Sequence, residues 1–325
     1  MGTGAKSFAD NGILGSRALN EHGLHVGRLK LAHRLAASRR RRLAAAVPAE
    51  WRAQFDRDGF VEIRDFLPAD TFARLQRELL DTAFDSRQHQ QGSTVTRRVA
   101  VDSDLLEASP AVRPVIEAGP WRALLAYIAS TSAEPLYYIQ TIVTGAPSAD
   151  PDPQLELHAD TFHPSLKAWL FLTDVTDDQG PLTYVAGSHL PTPKRLAWEK
   201  SRSVGIENHD RLSQRGSLRI SPDELAGLDL PPPTRFAVPA NTLVAIDTFG
   251  FHARGSSTRP TVRAELWAYV RRNPFLPYVG LDLFSLPWLG RWRADVQYWV
   301  VDRLDRLDIK QQHWHPAGRK RPTER

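Results

Sequence analysis

The chain has 325 residues, a formal net charge of +5, 42% hydrophobic and 24% charged residues, and no cysteine. That length suits one large domain with terminal extensions or two small ones, and the composition suits a globular core. Without thiols, disulfides, thiolate metal sites and a cysteine nucleophile are excluded, so any metal chemistry rests on His, Asp and Glu.

Residues 1–50 carry nine Lys/Arg against three Asp/Glu. Arg28 to Leu43 predicts a basic helix with a thin apolar stripe of Leu24, Leu31 and Leu35. Such a segment reads either as a solvated helix or tail, or as a contact for an anionic surface, membrane or substrate. The opening MGTGAKSFADNGILG has no charged start followed by an apolar core, so secretion is not expected. No apolar run reaches the roughly 18 residues of a membrane span. A cytoplasmic location is therefore the expectation. Residues 51–300 carry a net charge of −4, which argues against nucleic-acid binding through a broad basic face.

From Trp51 the pattern tightens. Phe55–Ile63 reads as a helix end, a break at Gly59 and a short strand. Leu67 opens an amphipathic helix through about Phe84, with Phe72, Leu75, Leu79 and Leu80 on one side. Arg97 and Arg98 precede the strand-like Val99–Val101 and are candidates to face an acidic substrate. Residues 109–131 predict helix, Leu136 to Thr144 a strand, and Ala146–Pro153 a loop leading into 154–160. Strands follow at roughly 166–174, 182–186, 235–238, 242–247 and 262–271. Gly180-Pro181 and Gly187-Ser188-His189 read as turns, with His189 structural. His163 either lines the pocket or sits in a loop. The segment 190–234 reads as an excursion covering one barrel end. Leu276, Phe284, Trp288, Leu289, Trp292, Tyr298 and Trp299 predict a helical C-terminal element packed on the barrel or on a second subunit of a homo-oligomer. Helices followed by many short strands indicate a mainly β protein with flanking helices, an antiparallel double-sheet barrel. The expected division is 1–50, 51–274 and 275–325.

Side chains two apart on a strand share a face, so His158 and Asp160 project together if that segment is a strand or its end. With the distant His252 they match a two-histidine, one-carboxylate site, which holds one side of an Fe(II) ion and leaves the other open. On the last strand Arg263, Glu265, Trp267 and Tyr269 share one face, while Val262, Ala264, Leu266 and Ala268 share the other. A polar, aromatic face opposite an apolar one fits a barrel wall around a lined cavity.

The runs Leu157–Asp160, Trp169–Asp174, Gly180–His189, Asn241–Asp247 and Phe251-His252, in that order, resemble the phytanoyl-CoA dioxygenase-like (PhyH) family of Fe(II)- and 2-oxoglutarate-dependent oxygenases. Phe55–Ile63 and Phe66–Leu80 resemble its opening segment. The resemblance spans about residues 51–272 and implies a double-stranded β-helix of the jelly-roll, cupin-like kind. It implies His158, Asp160 and His252 as iron ligands and Arg263 as the anchor for the distal carboxylate of 2-oxoglutarate, with Arg254 and Arg259 as fallback candidates. An Arg suits that task because its planar fork binds a carboxylate through two hydrogen bonds. Trp169 takes the family's aromatic position near the co-substrate. Gln140 resembles a residue that contacts co-substrate or substrate in some relatives. Lys167 adds a cation on the Trp169 face or snorkels to the surface. The Lys that many relatives carry on the preceding strand is absent from Leu136–Thr144. The implied activity consumes 2-oxoglutarate and O2, gives succinate and CO2, and with a carboxylate at Asp160 ends in hydroxylation or a related oxidation rather than halogenation. The substrate expected is a small molecule, and the basic N-terminal helix and aromatic C-terminal segment suggest an anionic or amphipathic one, lipid- or carrier-linked. Two other readings of the same residues are a barrel that binds metal or ligand without catalysis, and a zinc site with a hydrolytic or isomerase role.

Overall fold

In the computed structural model residues 5–280, 293–307 and 312–325 are described. The strands are β1 (Phe60–Ile63), β2 (Phe84–Gln91), β3 (Thr94–Ala100), β4 (Leu136–Thr144), β5 (Leu166–Phe171), β6 (Leu182–Tyr184), β7 (Thr234–Arg235), β8 (Leu243–Asp247), β9 (His252–Arg254), β10 (Val262–Val270) and β11 (His315–Lys320). They form an antiparallel sheet in the order β1-β8-β5-β10-β4-β3-β2-β11 and a small one in the order β7-β6-β9. This is the expected jelly-roll core with flanking helices.

Strict alternation on β5 and β10 divides the large sheet into two faces. Leu166, Ala168, Leu170, Ala264, Leu266 and Ala268 join Trp121, Leu124 and Ile128 of the Gly119–Ala129 helix in one apolar cluster. Trp169, Phe171 and Trp267 join Tyr138, Leu182, Tyr184 and Phe236 in a second cluster that includes residues of both sheets. The cavity lies on this second face.

Several boundaries differ from expectation. The helix begun near Leu67 spans Ala69–Leu80 and stops there, because Phe84 starts the β2–β3 hairpin. That hairpin is mostly polar (Arg87, Gln88, His89, Gln90), so no apolar alternation announced β2. The 109–131 stretch holds two helices, Val112–Glu117 and Gly119–Ala129, after a further one at Ser103–Ala108. Residues 154–160 form no strand; His158 makes isolated backbone bridges to His252 and Arg219. In the 190–234 excursion Trp198, Ile206, Leu218 and Leu225 pack with Phe8, Val185 and Phe251.

The N-terminal helix, Leu24–Leu43, is neither a solvated tail nor a helix packed by the expected stripe. His25, Leu29, Ala32, Ala36 and Arg39 are its buried positions, while Leu31 is 48% exposed. Spacings of three and four place those five on one side, and small alanines let the helix approach closely. Arg39 donates to the carbonyls of Ser130, Pro274 and Leu276, and Arg40 pairs with Asp247 at 3.0 Å. Those two arginines of the basic run serve the interior; Arg41 and Arg42 remain exposed.

At the other end a helix spans Arg293–Arg306, and β11 adds an unforeseen edge strand beside β2. Tyr298 packs on Tyr138 and under Arg87, whereas Trp299 is 68% exposed. The expected packing of Phe284, Trp288, Leu289 and Trp292 lies outside the described residues. Among the described residues no helix is long and apolar enough to cross a membrane.

Candidate metal centre and its cavity

His158, Asp160 and His252 converge, each offering one ligand atom within 4.8 Å of the others. The backbone places them: His158 and His252 exchange N–H···O bonds of 3.0 Å, and Asp160 N donates to Thr248 O at 2.9 Å. Each imidazole is oriented by its far nitrogen. His158 Nδ1 lies 2.7 Å from Glu156 O, and His252 Nδ1 lies 2.9 Å from Gly250 O. A carbonyl only accepts, so Nδ1 carries the proton and Nε2 keeps a free lone pair. Both Nε2 atoms sit 3.7 Å from Asp160 Oδ1. That is too long for a hydrogen bond. It suits donors that share an ion at bond lengths of roughly 2.0–2.2 Å.

The charge states match. Burial, followed by the neighbouring imidazole, holds His158 well below the usual histidine range; burial and the Lys167 charge lower His252 to about 4. Both rings are thus neutral at neutral pH. Burial opposes ionisation of Asp160, but the nearby Lys167 charge outweighs it and holds the carboxyl well below its usual range. Lys167 Nζ is 2.8 Å from Asp160 Oδ2 and 3.4 Å from His252 Nε2. One carboxylate oxygen therefore faces the histidines and the other faces the ammonium. Lys6, from the N-terminal segment, donates to Asp160 O at 2.7 Å.

The triad opens on a cavity of about 270 Å³ whose walls include Gln140, Lys167, Trp169, Arg254, Arg263 and Glu265. Register explains the grouping. Across the sheet Glu265 pairs with Gln140 and Phe171, Gln140 with Arg98, Trp267 with Trp169 and Tyr138, and Arg263 with Ile142. Arg263 donates through Nη1 to the carbonyls of Gln179 and Gly180 and lies 3.7 Å from Glu265. Its Nε has no hydrogen-bond partner among the described residues. Burial lowers its pKa to about 10, so it stays cationic. Gln140 accepts from Arg98 Nε at 2.9 Å and donates to Glu265 at 3.0 Å.

Of the fallback arginines, Arg254 lines the same cavity but is engaged by Asp152 at 2.8 Å and Thr96. Arg259 pairs with Asp178 on an exposed loop, away from the cavity lining. His163 is buried against Phe162, donates through Nδ1 to Pro164 O at 2.9 Å, and is not among the cavity walls. His189 is a packing residue beside Phe55 and Gly59, where a Cβ would lie 2.5 Å from its Nδ1. Of the Arg97–Arg98 pair only Arg98 reaches the cavity; Arg97 bonds Glu324 O near the C-terminus. Nothing in the sequence pattern marked Trp314, which lines the cavity from the residue preceding β11.

The profile of the phytanoyl-CoA dioxygenase (PhyH) family matches residues 55–218. That is half of the chain. The chain belongs to this family. The PhyH match contains His158, Asp160, Lys167, Trp169 and Gln140. His252 and Arg263 lie beyond it and are brought to the same place by β9 and β10. A search of curated proteins found no match. Among solved structures, the chain is similar to the non-heme alpha ketoglutarate dependent epimerase SnoN from nogalamycin biosynthesis, at 23% identity over 74% of this chain and 92% of that one, with a TM-score of 0.46. It is similar to HygX from Streptomyces hygroscopicus with nickel and 2-oxoglutarate bound, at 18% identity over 68% and 85% of the two chains, TM-score 0.44. It is also similar to the carbocyclase SnoK from nogalamycin biosynthesis, at 18% identity over 68% and 83%, TM-score 0.40.

Proposed function

We propose that this PhyH-family chain is an Fe(II)- and 2-oxoglutarate-dependent dioxygenase that oxidises an unactivated C–H of a small molecule. The observation that carries this reading is the converging donor set. Two neutral imidazoles with fixed tautomers and one ionised carboxylate form the nitrogen and oxygen environment that ferrous iron takes, with part of its coordination sphere left open. His158, Asp160 and His252 would hold the ion. Bound there with 2-oxoglutarate, iron would supply O2 activation coupled to decarboxylation of the co-substrate to succinate and CO2, with the second oxygen atom available for oxidation of the substrate.

The chain's own groups do the rest. Lys167 engages the Asp160 oxygen turned away from the histidines and so keeps Oδ1 toward the ion. Arg263, cationic and walled into the cavity, anchors the distal carboxylate of 2-oxoglutarate through its guanidinium. Trp169 and Phe171 border that position and exclude water, which strengthens the ion pair. Gln140, committed at both ends of its amide, sets the wall beside it. We read residues 51–274 as the oxygenase unit, to whose cavity the C-terminal segment adds Trp314 and behind whose Asp160 the N-terminal segment places Lys6. Anaerobic spectroscopy of the protein with Fe(II) and 2-oxoglutarate, followed by a metabolite screen for iron-dependent succinate release and gain of one oxygen, tests the proposal. Uptake of neither ion nor co-substrate would overturn it. Product analysis would separate hydroxylation from epimerisation or ring closure.

A second reading, a barrel that binds a ligand without metal, is favoured by one observation. The Lys167 ammonium already satisfies Asp160 at 2.8 Å. Metal analysis of the purified protein distinguishes the two.

A further inference from the structure

Four cationic side chains line the cavity, and three have an acidic neighbour: Lys167 has Asp160, Arg254 has Asp152, and Arg263 has Glu265. Arg98 is the exception. Among the described residues no carboxylate lies within ion-pair distance of it. Its hydrogen bond is to Gln140 Oε1, at 2.9 Å.

The surroundings of Arg98 are built around its shape. Glu265, a carboxylate, accepts from Gln140 Nε2 at 3.0 Å. That contact fixes the amide so that its oxygen faces Arg98 Nε. The guanidinium carbon lies 4.0 Å from the ring centroid of Trp267 and 4.3 Å from that of Trp314. Two indoles thus lie against the guanidinium, and its Nε is taken by Gln140. The edge formed by the two terminal nitrogens has no protein acceptor among the described residues and belongs to the cavity wall. This planar two-donor edge matches a carboxylate or phosphate. Burial lowers the Arg98 pKa only to about 10, so it is charged at neutral pH. A partly buried cation with no carboxylate in contact is costly to hold, and a ligand oxyanion lowers that cost.

We propose that Arg98 anchors a carboxylate or phosphate group of the substrate, so that the enzyme oxidises an anionic small molecule whose apolar or planar body rests against the cavity's tryptophans. This rests on the function proposed above: in that reading both carboxylates of 2-oxoglutarate are already assigned, one to the metal and one to Arg263, so a third anion position belongs to the other reactant. The apolar part of the claim comes from Trp169, Trp267, Trp314, Phe171, Ile142 and Leu182, which all line the same cavity. A volume of about 270 Å³ is at the small end of ligand pockets, which run roughly 300–1,000 Å³. Only a compact substrate, or its reactive end, enters beside the co-substrate. Trp314 comes from the C-terminal segment held by β11 on β2, so that segment completes the subsite.

The test uses the full chain carrying Fe(II) under anaerobic conditions, titrated calorimetrically with benzoate and phenyl phosphate and with their neutral counterparts benzamide and benzyl alcohol. Each titration is run with and without saturating 2-oxoglutarate. In the 2-oxoglutarate-loaded protein at least one anionic probe should bind about tenfold more tightly than its neutral counterpart, in line with hydrogen bonds to a charged group. Arg98→Gln should remove that preference and leave 2-oxoglutarate affinity unchanged. Arg98→Lys, which keeps charge but loses the fork, should retain part of it. Trp314→Leu, which frees one face of the guanidinium, should weaken the anion severalfold and guards against misfolding of the Arg98 variants. The contrast between benzoate and phenyl phosphate assigns the anion class. Equal binding of anionic and neutral probes, or full anion binding by Arg98→Gln, overturns the proposal. So does a loss of 2-oxoglutarate affinity in Arg98→Gln, which would place Arg98 in the co-substrate site. If the unaltered protein takes up no 2-oxoglutarate, the preceding reading falls. The metal-only titrations of the unaltered and Arg98→Gln proteins still decide whether Arg98 holds an anion.

Discussion

The two faces of the large sheet are made by the same strands yet serve opposite ends. On β10, Ala264, Leu266 and Ala268 meet helices, while Arg263, Glu265 and Trp267 meet the cavity. On β5, Leu166, Ala168 and Leu170 contrast in the same way with Lys167, Trp169 and Phe171. The outer face holds apolar area out of water, which stabilises the fold. The inner face keeps buried charge, which burial alone does not stabilise. Adjacent residues on one strand therefore carry separable burdens of stability and chemistry.

That separation can be attacked from both sides. The largest effect is expected from Asp160→Ala. It removes the only carboxylate of the converging donor set, so Fe(II)-dependent succinate formation should fall to background, while the loss of the Lys167 partner lowers the thermal midpoint without unfolding the chain. Coincident loss of activity and of folding, followed by circular dichroism, would break the division. On the opposite face, Trp121→Ala should cost about 3–5 kcal/mol in denaturant unfolding. The fraction still folded should bind 2-oxoglutarate with unchanged affinity. Arg263→Gln comes next: 2-oxoglutarate binding should weaken by about 1.5–3 kcal/mol, the worth of charged hydrogen bonds. Iron binding should persist, as read from metal content after dialysis. Unchanged co-substrate affinity would shift the anchor to Arg254. The smallest effects compare neighbours in the basic helix. Arg39→Met leaves the carbonyls of Ser130, Pro274 and Leu276 without their donor and should destabilise by about 1–3 kcal/mol. Arg41→Ala, on the exposed side, should stay within about 0.5 kcal/mol. Chemical denaturation of both variants checks the pair.

Much of the centre was legible before any coordinates. His158, Asp160 and Arg263 stand out because a short ligand motif and a two-residue alternation are local patterns, and β10 shows the expected division of faces. The polar β2 was not legible, since apolar alternation marks strands that bury one side and β2 has few apolar residues. Nor was the N-terminal helix: its buried face relies on alanines and on Arg39, whose stem packs and whose head meets backbone carbonyls, a role indistinguishable in sequence from a surface arginine. The proline-rich stretch before His158 hid a segment positioned by bridges to His252 and Arg219 rather than by a regular strand.

The sequence by itself determined the kind of donors, the strand faces on which Lys167, Trp169 and Arg263 sit, and membership of a family through residues 55–218. These are properties of neighbours along the chain, set by side-chain chemistry and a period of two. Tertiary structure alone decided that Gln140 links Arg98 to Glu265, that Trp314 closes over Arg98, and that Lys6 reaches the backbone of Asp160. Those contacts join residues tens to hundreds of positions apart. Their partners are chosen by strand register and the paths of the two termini, which no local pattern encodes.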